Sequence, residues 1–307
     1  MRVAWTSDLH VDQNRGIAEL IADRLAVLRP EVAILAGDLT HALEPLEHTL
    51  ATIAAGARAG GARATLYVAG NHDLWVDPRT GGSSRAKLAN DLPAACARAG
   101  VRMLAPGAEP LLLDDAGGAV AFCGVPGWYD YSLRATWLDG EVTLAQYERK
   151  RRGRLVWQDV NFFRWPAGDA DDGPGGATAG PLEPDAAVAA LMERALAAQL
   201  DAVRGRAART VVVTHFLPFE ELVLVRQHPL WDFLNAYMGS RGLGAVIAAA
   251  PEVVLAISGH THIRREARIP RAGGGTLLAA TSPIGYPRER QCTLAERVVD
   301  RVRVVDV

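Results

Sequence analysis

The sequence has few cysteines, a nearly balanced charge and only short apolar runs, and each of these features excludes or disfavours a class of protein. It has only three cysteines in 307 residues, Cys96, Cys123 and Cys292, and none has a second cysteine at CxxC spacing. So few scattered cysteines exclude a disulfide framework and a thiolate zinc site. The 33 Lys and Arg nearly balance the 35 Asp and Glu. This balance weighs against long nucleic acids and anionic membranes as partners.

Long apolar runs are missing as well. The stretches Ala245–Pro251 and Val253–Ile257 are among the most apolar, and both are far shorter than the roughly 20 residues of a membrane-spanning helix. The N-terminal residues lead straight into a strand and lack the charged and apolar regions of a signal peptide. From these absences we expect a cytoplasmic protein without a membrane partner.

Short aliphatic runs alternate with helical patterns over the first hundred residues. The runs Arg2–Thr6, Val32–Ala36 and Thr65–Ala69 end in polar or glycine-rich turns, as buried strands do. Apolar residues recur at helical spacing between them, and the β-α-β-α-β order predicts an α/β fold. The patterns predict helices over 17–28, 46–59, 85–99 and from Asp185, and later strands over 119–123, 210–214 and 253–258.

The middle of the chain has a different composition. Residues 127–165 are rich in aromatic residues and arginine with weak periodicity, and the Gly/Pro/Asp-rich stretch 167–184 cannot pack a core. We predict one domain over 1–307 with an inserted cap segment over 127–184 that ends in a flexible loop. Its aromatic side chains form either a wall over a site or the core of the insert, and the sequence does not choose between the two.

Five short polar motifs follow predicted strands and contain five of the eight histidines. Because strands of an open α/β sheet present their carboxyl ends at one edge, we expect the motifs to converge there. Carboxylate, imidazole and amide donors suit two divalent ions such as Mn, Fe or Zn, and an ion pair about 3.5–4 Å apart can clamp a phosphoryl group. The motifs are Asp8-Leu9-His10, Gly37-Asp38, Gly70-Asn71-His72-Asp73, Thr214-His215 and Gly259-His260-Thr261-His262.

The ordered series DxH, GD, GNHD, H and GHTH resembles the signature of the calcineurin-like metallophosphoesterase superfamily. It runs from Asp8 to His262 and so covers most of the chain. The resemblance implies a sandwich of two mixed β-sheets flanked by helices. It also implies hydrolysis of phosphate esters by a bridging hydroxide at a dinuclear metal centre.

The resemblance further implies a role for each motif residue. His72 would be the catalytic residue that contacts the phosphate or assists the leaving group. Asp73 is expected to support the site or begin a helix. The implied ligands are Asp8, His10 and His262 for one ion, Asn71, His215 and His260 for the other, and Asp38 for both.

Differences from the motifs of protein phosphatases and purple acid phosphatases narrow the range of predicted functions. The Gly37-Asp38 motif lacks the arginine of the protein-phosphatase pattern GDxVDRG, and His41 stands where purple acid phosphatases carry a tyrosine. We therefore predict a phosphodiesterase that acts on a small phosphate ester. A phosphomonoesterase or nucleotidase, and a non-catalytic metal-binding scaffold, stay open as alternatives. Arg288 is either a phosphate contact or a surface ion-pair residue, and the sequence does not give the oligomeric state.

Overall fold

The computed structural model describes residues 1–77, 79, 81–168, 181–271, 274–289 and 291–307. Most of the flexible loop that we predict at the end of the 127–184 segment falls on 169–180 and lies outside the described residues. The division into one domain and a cap segment stays a prediction. In the described part of the chain, none of the helices has the length and apolar content that a membrane-crossing helix needs.

The described strands form two mixed sheets and one short antiparallel pair. The first sheet has the order β13-β1-β2-β3-β4, and the second has the order β11-β12-β10-β9-β6-β5. In each sheet the central strands are parallel, and an antiparallel strand lies at one or both edges. The strands are β1 (Arg2–Thr6), β2 (Val32–Ala36), β3 (Ala64–Val68), β4 (Arg102–Met103), β5 (Leu111–Leu113), β6 (Val120–Gly124), β7 (Arg151–Arg152), β8 (Leu155–Val156), β9 (Arg209–Val213), β10 (Val253–Ser258), β11 (Arg265–Pro270), β12 (Thr276–Thr281) and β13 (Arg303–Asp306).

Helices cover the outer faces of the two sheets. Their inward residues, such as Leu50, Leu92 and Leu196, belong to one large buried cluster. The α-helices are α1 (Ile17–Leu28), α2 (Leu43–Ala59), α3 (Asn71–Leu74), α4 (Ser84–Ala86), α5 (Leu92–Ala99), α6 (Leu144–Glu148), α7 (Asp159–Phe162), α8 (Asp185–Val203), α9 (Pro229–Leu234), α10 (Arg241–Ala249) and α11 (Leu294–Arg301).

The inner faces of the sheets pack against each other. Trp5 and Ile34 of the first sheet share a second buried cluster with Phe122, Val211 and Leu255 of the second sheet. Burial of each such side chain stabilises the fold by about 1.5–3 kcal/mol. The structure thus confirms the predicted α/β sandwich of two mixed sheets flanked by helices.

Two predicted helices differ in detail from the observed ones. The helix predicted over 46–59 begins at Leu43, because Pro45 fits the first turn, where a missing N–H costs nothing. The helix predicted over 85–99 contains a π-helical turn over Lys87–Asp91. Pro93 follows this turn and has no N–H for an α-helical bond, which a wider turn accommodates.

Candidate metal centre

The predicted ligands lie together where parallel strands of both sheets end. The backbone there is unusual, because φ lies between 44° and 69° for Asp8, His10, Asp38, His260 and His262. Left-handed backbone is costly for residues other than glycine and persists where the surrounding structure demands it. The chain leaves β1, β2 and β10 through these sharp turns, which direct the side chains toward one another.

One group of ligand atoms comes from Asp8, His10, Asp38 and His262, and these atoms lie within 4.8 Å of one another. The Nε2 atoms of His10 and His262 are 3.0 Å apart. His262 Nδ1 lies 2.8 Å from Glu289 Oε2, so Nδ1 carries a proton and Nε2 is turned toward Asp8 Oδ1 at 3.4 Å.

A second group contains His215, His260 and Asn71 and shares Asp38 with the first. His215 Nδ1 donates to the Ala36 carbonyl at 2.9 Å, and His260 Nε2 donates to a backbone carbonyl at 3.1 Å. Each ring therefore turns its other nitrogen, as an acceptor, toward the shared space. His215 Nε2 lies 3.2 Å from His260 Nδ1, 3.3 Å from Asn71 Oδ1 and 3.4 Å from Asp38 Oδ2.

This convergence of lone pairs is suited to a metal ion. When both imidazoles are neutral, the four atoms of the second group are all acceptors, and acceptors cannot satisfy one another without a proton or a metal ion between them. Mixed nitrogen and oxygen donors are those that Mn, Fe and Zn ions accept. The residues present therefore fit two ions that share the Asp38 carboxylate.

The raised pKa values of His215 and His262 indicate that the neighbouring carboxylates favour positive charge in the site. Burial is the largest influence on His215 and lowers its pKa, but Asp38 and other groups outweigh it and raise the pKa to about 9. Burial also lowers the pKa of His262, yet Asp8 and Glu289 raise it to about 10. A proton or a metal ion can supply that charge, so the two compete for the same space. In His10 and His260 burial is the largest influence, and it lowers the pKa of each imidazole to about 3.

Asp73 supports the site from beneath, as expected for a residue that is not a ligand. Its buried carboxylate accepts hydrogen bonds of 2.8–2.9 Å from the backbone N–H groups of Asp38, Leu39, Thr40 and Gly70. Gly70 is needed here, because an added Cβ would collide with the Asp38 carboxylate. Asp73 thereby holds the loops of the predicted ligands Asp38 and Asn71 in one position.

His72 lies beside the two groups. Its backbone N–H donates to Asp38 Oδ1 at 2.9 Å, and its ring stacks on Trp75 with centroids 3.8 Å apart. Two cavities meet at this stack, one of about 390 Å³ that reaches Asn71 and His260, and one of about 520 Å³. Both cavities are lined by His72 and Trp75. Predicted ligands line the 390 Å³ cavity, and His72 lies where this cavity adjoins the larger one.

Asp159 lies in the segment 127–165, outside the five motifs, and its carboxylate holds the predicted ligand Asn71. Its fully buried carboxylate accepts from Asn71 Nδ2 at 2.9 Å and from the indole nitrogens of Trp75 at 2.7 Å and Trp157 at 2.8 Å. Tyr129 OH donates to it at 3.2 Å. Because Asp159 takes the Asn71 amide nitrogen, the amide oxygen is left facing His215.

We expect Asp159→Ala to weaken metal binding selectively. Without the carboxylate, the Asn71 amide rotates freely, and loss of such a supporting partner typically costs about 10–100-fold in metal affinity. Competition with a chromogenic chelator measures this affinity. Asp185→Ala is the matched control, because Asp185 also holds side chains of the 127–165 segment, Trp128 and Lys150, but has no hydrogen bond to a predicted ligand. Equal losses in the two variants would contradict the role of Asp159.

The aromatic residues of the segment divide between the two roles that the sequence left open. Trp128 is buried and stacks on Phe163 with centroids 3.9 Å apart, as a core residue does. Trp157 instead lines the 390 Å³ cavity and meets the His260 ring edge-on at 5.6 Å. Arg288 is exposed, lies over the ring of Tyr286 at 5.1 Å and lines the same cavity.

Comparison with known proteins identifies the family of this chain. The sequence model of the calcineurin-like phosphoesterase family matches residues 1–264. No curated protein is similar enough in sequence to count as a match. The matched family is one of metal-dependent hydrolases of phosphoric esters. The chain belongs to the calcineurin-like phosphoesterase family, and the predicted resemblance is confirmed.

Three solved structures illustrate the range of similar folds. The TT1561 protein of Thermus thermophilus has 11% identity and a TM-score of 0.48 over 99% of this chain and 98% of its own. A dimetal phosphatase from Danio rerio has 14% identity and a TM-score of 0.46 over 91% and 86%. The NAD nucleotidase of Haemophilus influenzae has 10% identity and a TM-score of 0.46 over 92% of this chain but only 45% of its own.

Proposed function

We propose that this chain is a two-metal phosphodiesterase that acts on a small phosphate diester. The observation that carries the proposal is the convergence of acceptor atoms in two groups that share Asp38. Asp8, His10 and His262 would hold one ion with Asp38, and Asn71, His215 and His260 would hold the other. When bound, the two ions neutralise the phosphoryl oxygens and activate the attacking water.

His72 is the proposed catalytic residue of the chain itself. Its Nε2 is 3.9 Å from Asp38 Oδ2 and 3.4 Å from Tyr286 OH, so the ring edge borders the space for the phosphate. A partly exposed imidazole at this position can hydrogen-bond a phosphate oxygen or pass a proton to the departing ester oxygen. The stack on Trp75 helps to hold the ring in this orientation.

The preference for a diester rests on the room around the centre. A diester carries two organic groups on one phosphorus, and the two cavities that meet at His72 and Trp75 offer a separate space to each. A monoester would need only one of them. The location in the cytoplasm and the identity of the ions as manganese, iron or zinc stay predictions.

The substrate class is tested by comparing bis(4-nitrophenyl) phosphate with 4-nitrophenyl phosphate on the metal-loaded protein. We expect kcat/KM to be higher for the diester, because both of its arms find a cavity. Preference for the monoester would contradict the proposal and favour a phosphomonoesterase or nucleotidase.

A further inference from the structure

The cavity of about 390 Å³ changes in character with distance from the predicted ligands. Near the metal centre it is lined by Asp38, Asn71 and His260, whereas the rest of its wall is mainly apolar. Three separate parts of the chain supply that wall: the strand β8 with Trp157, the segment 224–238, and residues near the end of the metal-binding turn, such as Ile263. The apolar surface therefore begins directly beside the reaction centre.

The apolar side chains of this wall keep part of their surface uncovered. Trp157, Leu224, Trp231, Leu234 and Met238 are all only partly buried, although each is large enough to be a core residue. Uncovered apolar surface of this kind, gathered in a concave site, is characteristic of ligand pockets. A ligand that covers this apolar surface removes it from water, and this removal favours binding.

Few charged groups in this wall could bind a charged ligand. Asp159 already accepts four hydrogen bonds from side chains of the chain. Among the described lining residues, Arg288 is the one Lys or Arg, and it is exposed. Glu289, which also lines the cavity, already accepts from His262 Nδ1 and from the Tyr286 N–H. Away from the exposed Arg288, a charged organic group would lose its hydration in this cavity without finding a free partner to replace it.

We propose that this cavity binds an uncharged, apolar organic group of the substrate, so that the substrate class is a phosphate ester with an aliphatic or aromatic arm. The inference rests on the proposed function, because it assumes that the phosphate lies at the two-metal site. A volume of about 390 Å³ lies in the range of roughly 300–1,000 Å³ that binds small organic molecules. The predicted metal ligands and the apolar wall line one continuous cavity. The occupant is therefore the organic arm of the substrate rather than a separate molecule.

Alkylphosphonates of increasing length test the inference without requiring turnover. The phosphonate group serves as the anchor, and isothermal titration calorimetry on the Mn²⁺-loaded protein measures its affinity. From methyl- to propyl- to hexylphosphonate we expect about fourfold tighter binding for each methylene that enters the cavity. We expect 3-phosphonopropionate, which ends in a carboxylate, to bind more weakly than propylphosphonate.

A pair of leucines on α9 provides matched variants. Leu234 lines the cavity, whereas Leu230 lies on the same helix, is 48% exposed and is not among the lining residues. Leu234→Ala is expected to weaken hexylphosphonate binding at least about threefold while methylphosphonate binding is unchanged. Leu230→Ala should leave both affinities at their wild-type values.

The outcomes separate this inference from the proposed function. Equal affinity for all chain lengths, or equal losses in the two leucine variants, would overturn the apolar-arm inference. Hydrolysis of methyl 4-nitrophenyl phosphate by the wild-type protein, measured in parallel, would then show that the proposed function still stands. Affinity that rises with chain length, without hydrolysis of any diester, would support the apolar cavity and contradict the phosphodiesterase.

Discussion

Asp38→Ala is expected to remove both metal ions and with them all measurable hydrolysis. Asp38 is the one carboxylate that both groups of ligand atoms share, and it lies 3.4 Å from His215 Nε2. Enzymes owe rate accelerations of at least about 10⁶-fold to their sites, and loss of both ions should cost roughly 10⁴-fold or more of this. Elemental analysis of the purified variant and hydrolysis of bis(4-nitrophenyl) phosphate measure the two effects together.

Two further variants make the Asp38 result interpretable. Asp38→Asn keeps the shape and the acceptor of the His72 N–H bond but loses the charge, so a similar loss of ions would assign the effect to the carboxylate. Asp23→Ala changes an exposed aspartate of α1 and should behave as the wild type. Retention of two ions per chain by a folded Asp38→Ala protein would contradict the shared-ligand assignment.

His72→Ala is expected to keep both ions but to lower kcat by about 10²–10⁴-fold, the contribution typical of a positioned acid–base residue. The reason is its placement, because the ring borders the site and both cavities and belongs to neither ligand group. Steady-state kinetics and metal analysis on the same sample separate the two effects.

The control for His72 is His48→Ala, which removes an exposed imidazole from α2 and should leave kcat unchanged. A His72→Ala protein that loses metal would make His72 a ligand. Unchanged kcat with metal retained would show that the imidazole only packs on Trp75.

The strands that lead to the site were predictable because each has a simple local pattern. Runs such as Val32–Ala36 are apolar on both faces and end in a glycine turn, and the observed β2 has the same bounds. The turn over Lys87–Asp91 was not predictable in this way, since its width depends on a single proline within a helical pattern. The short elements between 127 and 165 were also missed, because two-residue strands leave no periodicity to detect.

The residues of the candidate site also differ in whether the sequence alone predicts them. Residues that follow strands in compact motifs, such as Asp8 and His260, were predictable because motif and strand end coincide. Asp159 and Glu289 were not, although they lie 2.9 Å and 2.8 Å from the side chains of predicted ligands. Each approaches its partner from a distant part of the chain, 88 and 27 residues away, and a lone carboxylate carries no local signal. The residues that position the ligands are therefore found only in the folded structure.

A metal titration tests the central claim most directly. The wild-type protein is stripped with a chelator and titrated with Mn²⁺ while bound ions per chain and hydrolysis of bis(4-nitrophenyl) phosphate are followed in the same samples. We predict that hydrolysis is absent in the stripped protein and appears as the second ion binds. Full hydrolysis in the stripped protein, or saturation at a single ion per chain, would contradict a two-metal centre that shares Asp38.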